Sequence, residues 1–239
     1  MEVAEGFILK TFPYAESQFI IHAFMRNEGF TSFVTSKAPR GKRRPFTPMQ
    51  QYEMEFIRNT RGDLHRLCSV FPNQNFAPLC FDVKKGNTAM LWGEILNTVL
   101  RNEQANAPLY EYICESVETL SESGEGAENL SLLFLYRLSS FIGFRPDIQN
   151  YSKGHLFNLD KGIFEAPSAV STSDRTTGPN TAEAVYRLCS GSAEEIMHIR
   201  LDGKSRMILL DTLLCYYEIH LNTRFDRRGI DIIKETFEI

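Results

Sequence analysis

The hydrophobic period changes once along this chain, at residues 72–78, and that change constrains the fold more than any other feature. Before it, short apolar runs are separated by turn signals. Gly6–Phe12 and Phe19–Met25 are two such runs, and Asn27-Glu28-Gly29 is a turn. Phe30–Ser36 carries Thr, Phe and Val at strand-favouring density. Met49–Phe56 alternates, with Tyr52, Met54 and Phe56 on one face and Gln51, Glu53 and Glu55 on the other. Thr60-Arg61-Gly62-Asp63 is a second turn, and Leu64–Val70 reads as a fifth strand. Five short strands in about seventy residues suit a small closed barrel.

After residue 78 the apolar residues recur at helical spacing. Ala89, Trp92, Ile95, Leu96 and Val99 share one face, and Leu109, Tyr112, Ile113, Val117 and Leu120 another. A third helix holds Leu130, Leu133, Phe134, Leu138 and Phe141; Gly143 ends it, with Pro146 just beyond. Residues 147–179 have little period and many turn formers, with a hairpin expected around Asp160-Lys161-Gly162. Helices then resume: Thr181 is expected to cap one and Ser192 another. The longest is expected over Ser205–Leu221, and a short last one over Ile230–Phe237.

The two parts differ in charge. Residues 1–72 hold ten Lys and Arg against seven Asp and Glu, a balance of +3, while the whole chain of 239 residues has a formal net charge of -4. Five of those cations fall in Lys37-Ala38-Pro39-Arg40-Gly41-Lys42-Arg43-Arg44-Pro45, which has no anion. Its two prolines and its glycine deny it a helix or a central strand. A cationic loop between two strands is suited to phosphates, because guanidinium groups grip them bidentately. Lys37, Arg40, Lys42, Arg43 and Arg44 are therefore the expected DNA-binding residues, with Arg26, Arg58 and Arg61 extending the surface. No base-reading pattern accompanies them, so binding is expected to tolerate sequence and to depend steeply on salt. A solvated solubility loop is the plain alternative. Phe30, Phe33, Tyr52 and Phe56 lie on candidate strands; bases stack on exposed rings, but aromatics at strand spacing are core residues by default.

Several classes are disfavoured. There is no Gly-x-x-x-x-Gly-Lys-[Ser/Thr] loop and no Gly-x-Ser-x-Gly elbow, and the carboxylates are scattered, so no enzyme is expected. No apolar run approaches the ~20 residues that span a bilayer, and no signal peptide is expected. The five cysteines (Cys68, Cys80, Cys114, Cys189, Cys215) are scattered and odd in number, which fits thiols in a reducing cytoplasm. His220, His22, His65 and His198 lack partners for a metal or catalytic cluster in sequence, so each is expected to be bonded to backbone.

In order along the chain stand Ile8-Leu9-Lys10, Tyr14-x-Glu16-Ser17, Glu28-Gly29, the basic loop and Arg61-Gly62-Asp63-Leu64. Then come Ile142-Gly143-Phe144-x-Pro146 and Leu213-Leu214-x-Tyr216-Tyr217-x-x-His220-Leu221. With these landmarks the chain resembles the bacterial recombination and repair protein RecO family. The resemblance implies an α+β, multidomain protein: an N-terminal five-stranded OB-fold barrel over residues 1–72, an all-α domain over 80–145 and 181–239, and a small β-containing insertion over 146–180. Many members hold zinc on four cysteines in that insertion. Here residues 147–171 contain no cysteine, and His155 is the one soft ligand, so a metal-free form of the module is expected, with no cofactor.

The resemblance further implies binding of single-stranded and double-stranded DNA and strand annealing. It implies that RecR is a partner in loading RecA onto strands coated by single-strand-binding protein (SSB). The acidic, Phe-ended C-terminal tail of SSB would bind the helical domain, in an apolar pocket whose cationic rim Arg137 supplies; an ordinary surface arginine is the alternative. The location implied is cytoplasmic, at the nucleoid. A protein-interaction module with little DNA affinity, or an RNA-binding OB-fold protein, are the other readings of the same residues.

Overall fold

The computed structural model describes residues 1–36, 46–73, 79, 82–124, 129–199, 201–226, 230, 231 and 234. The chain divides into two compact units, Met1–Glu122 and Ser123–Ile239.

The first unit contains the barrel. Its strands are β1 (Glu2–Ala15), β2 (Gln18–Met25), β3 (Gly29–Ser36), β4 (Gln51–Ile57) and β5 (Leu64–Pro72). They close in the order β1-β2-β3-β5-β4, with β3 and β5 parallel and the other neighbours antiparallel. This is the five-stranded Greek-key barrel of an OB-fold. The alternating residues point inward as the period of two requires: Ile21, Phe33, Met54 and Phe56 are wholly buried. β1 is longer than its apolar run. Its polar start, Glu2–Phe7, pairs with β4, and its end pairs with β2, so one strand serves both sides of the closure. β4 starts at Gln51 rather than Met49, because Met49 sits at φ 59, in the left-handed region.

Two helices cover the outer face of β1 and β2. They are α1 (Val83–Val99), capped by Asp82, whose carboxylate accepts from the Lys85 N–H at 3.0 Å, and α2 (Ala107–Glu122). Trp92, Ile95 and Leu96 of α1 are buried as the periodicity predicts. Gly93 lets α1 approach β1 closely: a Cβ there would lie 2.5 Å from the Leu9 carbonyl oxygen. Tyr110 of α2 packs on Phe7 and Phe24. Gln51, on the polar face of β4, is nonetheless buried, because its amide donates to Tyr110 Oη at 2.9 Å.

The second unit is built around a long helix. It contains α3 (Leu130–Phe141), a hairpin of β6 (Leu156–Asn158) and β7 (Ile163–Glu165), α4 (Pro179–Ser190), α5 (Ala193–His198) and α6 (Gly203–Leu221). Gly143, at φ 90, ends α3. α4 begins two residues before the expected cap Thr181: Gly178 is the N-cap and Pro179 takes the first helical position, where a missing N–H costs nothing. Ser192 and Glu195 form a capping box on α5. α6 is capped by Asp202 and ends at Asn222, which is left-handed. Its tyrosines tie the unit together: Tyr217 Oη donates to the Leu135 carbonyl and Tyr216 Oη to the Phe144 carbonyl, each at 2.6 Å. His220 Nε2 bonds the Leu159 carbonyl at 2.9 Å, the backbone partner expected of it. Of the expected terminal helix, Ile230, Asp231 and Lys234 are helical and the other residues lie outside those described.

The segment between α3 and α4 is held by polar side chains. Asn158 is wholly buried, and its amide donates to Glu165 at 2.7 Å and Asp174 at 2.9 Å. Its carbonyl oxygen accepts from the Asp160 and Lys161 N–H groups. Lys161 bridges Glu165 and Asp174, and Arg175 pairs with Asp160. Gly162 turns the hairpin at φ 69, with no room for a Cβ beneath Tyr216 Oη.

Candidate nucleic-acid interface

Lys37, Arg40, Lys42, Arg43 and Arg44 lie outside the described residues. In sequence they fall between β3, which ends at Ser36, and β4. The other candidates are placed, and their surroundings differ sharply.

Arg26 follows β2 and is already paired. It contacts Glu111 at 2.5 Å and Glu5 at 3.4 Å, and its guanidinium lies 4.6 Å over the Tyr110 ring. Arg58 follows β4 and binds Glu2 with two nitrogens and Glu28 with one. The Arg58 hydrogen bond holds the Glu2 carboxyl below its usual range, and Glu2 and Glu28 push the guanidinium further up. A phosphate would have to displace carboxylates from either arginine. Arg61, in the turn before β5, is exposed and has no ion-pair partner among the described residues. Arg66, on β5, is in the same state and escaped the sequence reading, because one outward cation on a strand carries no pattern.

The aromatics divide too. Phe33, Tyr52 and Phe56 are buried in the barrel, which closes a stacking role to them. Phe30 is half-buried against His22. Among the described residues of the first unit, the most exposed rings are Tyr14, 59% exposed, and Phe71, 51% exposed. Tyr14 sits where the β1–β2 register shifts between Pro13 and Ala15, an irregularity that hydrophobic alternation does not reveal.

The barrel wall is electrostatically two-sided. Glu5 lies opposite Glu53 in the β1–β4 register, and Val3 opposite Glu55. On that side Glu5 is matched by Arg26, while Glu53 and Glu55 add negative charge. Where β2 begins, β3 ends and β5 passes, a cleft of about 390 Å³ is lined by Gln18, Thr35, Ser36, Arg66, Leu67 and Cys68, with no carboxylate in its lining. A second polar cleft, of about 580 Å³, includes His22, Phe30, Arg58 and Arg101. His22 is buried, and its Nδ1 is 2.6 Å from Asn97 Oδ1; burial holds its pKa below the ordinary value.

In the second unit an apolar pocket of about 290 Å³ is lined by Leu132, Leu188, Ile196 and Leu209, with Arg187 at its edge. Arg187 pairs with Glu183 at 2.5 Å. Arg137 is exposed on α3 and does not line this pocket. Among the described residues no group of three or more His, Cys, Asp or Glu is arranged to hold a metal ion, and no helix is long and apolar enough to cross a membrane.

Comparison with known proteins agrees with this architecture. The family described as Recombination protein O C terminal matches residues 81–228. The chain is 27% identical to the DNA repair protein RecO of Phocaeicola vulgatus over 97% of each chain. It is 25% identical to that of Bacteroides fragilis and 24% identical to that of Christiangramia forsetii, each over 98% of both chains. An OB-fold barrel, the family match over residues 81–228, and likeness over 97–98% of these relatives' length all lead to one statement: the chain belongs to the RecO family.

Proposed function

We propose that this protein is a non-enzymatic, DNA-binding mediator of DNA repair and recombination. Membership of the RecO family supports the repair role. The observation that carries the reading is a closed OB barrel whose β3–β4 connection contains five cations and no anion in a chain of net negative charge. Such a surface neutralises phosphates and lowers the repulsion between two strands while their bases find complements. No nucleotide hydrolysis is needed for that work.

In this reading the protein binds single-stranded and double-stranded DNA, anneals strands, and acts with RecR to load RecA on DNA coated by SSB. It works in the cytoplasm, at the nucleoid. The SSB tail, apolar at its end and acidic before it, matches the apolar lining of the Leu132–Leu209 pocket, where its carboxylates would take the place of Glu183 on Arg187. The acidic wall of Glu5, Glu53 and Glu55 favours a second, complementary reading, a surface for a basic protein partner.

The test is a fluorescence titration of single-stranded DNA at two salt concentrations, with the chain and with its Arg40→Ala, Lys42→Ala, Arg43→Ala, Arg44→Ala variant. Loss of four phosphate contacts should flatten the salt slope by about 0.7 for each contact on a single strand. Equal affinity of the two proteins at low salt refutes the site.

A further inference from the structure

The parallel ladder between β3 and β5 has three residue pairs and ends at Val34–Arg66. Beyond it Thr35 and Ser36 part from Leu67 and Cys68, and the cleft of about 390 Å³ opens between them. Arg66 stands at this opening, exposed and without an ion-pair partner among the described residues. This contrasts with Arg26 and Arg58, whose charges are already matched by carboxylates.

An exposed ring stands at the same end of the barrel. Tyr14 precedes Ala15, Ala15 pairs with Gln18, and Gln18 pairs with Ser36. Gln18 and Ser36 both line the cleft. From β1 through β2 and β3 to β5 is three strand spacings of about 4.8 Å, about 14 Å in all. That path spans only a few nucleotides, at the short end of the ~4–16 that one OB fold covers.

We propose that this barrel mouth is a binding site for a few nucleotides of single-stranded DNA, with a base stacked on Tyr14 and a backbone phosphate held by Arg66. The Gln18 amide and the Ser36 hydroxyl supply neutral donors between the two. Ile57 of β4 is the cross-strand partner of Arg66, and Glu53 lies four residues back along that strand, so the path from Arg66 through β3 and β2 to Tyr14 leads away from it. The proposal rests on the DNA-binding reading above and adds a site that the basic loop does not contain.

The experiment uses the full chain and a fluorescent oligothymidine. Tyr14→Ala should weaken binding by about 5- to 150-fold, the effect of losing one base–aromatic stack, and Tyr14→Phe should restore it. Arg66→Ala should weaken binding most at low salt and lower the salt slope by about 0.7. Both residues are exposed, so the melting temperature should stay unchanged. Cys68 provides an independent readout. It is exposed, whereas Cys114 and Cys189 are buried with thiols pushed up to about 12, so a maleimide should label Cys68 ahead of either and the oligomer should slow that labelling. Unaltered affinity in Tyr14→Ala and Arg66→Ala, with loss in the four-residue loop variant, overturns this site and leaves the family reading intact. Failure of the wild-type chain to bind the oligomer at low salt overturns both.

Discussion

Replacing Asn158 by Ala removes a wholly buried amide that makes four hydrogen bonds, two given to Glu165 and Asp174 and two accepted from the Asp160 and Lys161 N–H groups. Each such bond contributes about 0.5–1.5 kcal/mol net, and a buried donor left without an acceptor adds to the loss. Because the four share one residue they do not add fully, and a cost of about 2–4 kcal/mol is expected. For a unit of this size 1 kcal/mol moves the melting temperature by about 4 °C, so the transition of the second unit should fall by about 10 °C. Differential scanning calorimetry reads this directly, and the transition of the first unit should stay in place. Asn158→Asp should cost more, because it turns a donor between two carboxylates into a third carboxylate. Its pKa in the folded chain would lie above the unfolded value, so its penalty should grow as pH rises above about 4 and shrink on acidification. A fall of less than about 2 °C for Asn158→Ala would refute the view that this network holds the insertion together.

Other perturbations probe the first unit. Gly93→Ala would stabilise an exposed helix, but here the added methyl meets the Leu9 oxygen and the Pro48 side chain, so a loss of about 1–3 kcal/mol is expected in urea unfolding. Unchanged or increased stability would show that α1 is not held against β1. His22 titrates below its ordinary value because it is buried, with Arg101 and Lys10 adding to the effect against the Asn97 hydrogen bond. The unfolded chain therefore binds the extra proton first, and stability of this unit should fall as pH drops below about 6.5. His22→Gln should remove that dependence, and a urea midpoint equally pH-sensitive in both proteins would assign it elsewhere.

Much of the architecture was legible because alternation and helical period report burial directly. Tyr52, Met54 and Phe56 point inward, and Trp92, Ile95 and Leu96 share a buried face, as read from spacing alone. What spacing cannot report is the partner. The polar start of β1 carries no apolar alternation, and only its pairing with β4 makes it strand. Arg26 and Arg58 look like available cations until Glu111, Glu2 and Glu28, between 30 and 85 residues away, are brought beside them. Arg66 and Tyr14 are the converse: single residues without local pattern, distinguished by where a ladder stops and a register slips. The absence of cysteine from residues 147–171 is readable in sequence, but the polar network there is not, because Asn158 meets Asp174 and Asp160 meets Arg175 only after the hairpin folds.

The bare glycine surface at residue 93 has a bearing on how this molecule can be dissected. With a helix seated directly on strand backbone, and with Phe7 and Phe24 roofed by Tyr110, the OB module is not a detachable head. Cutting at residue 72 would strip the roof and lay those rings open to water. A severable piece ends at Glu122, so truncation, domain grafting and evolutionary shuffling alike must carry the first two helices along with the strands they shelter.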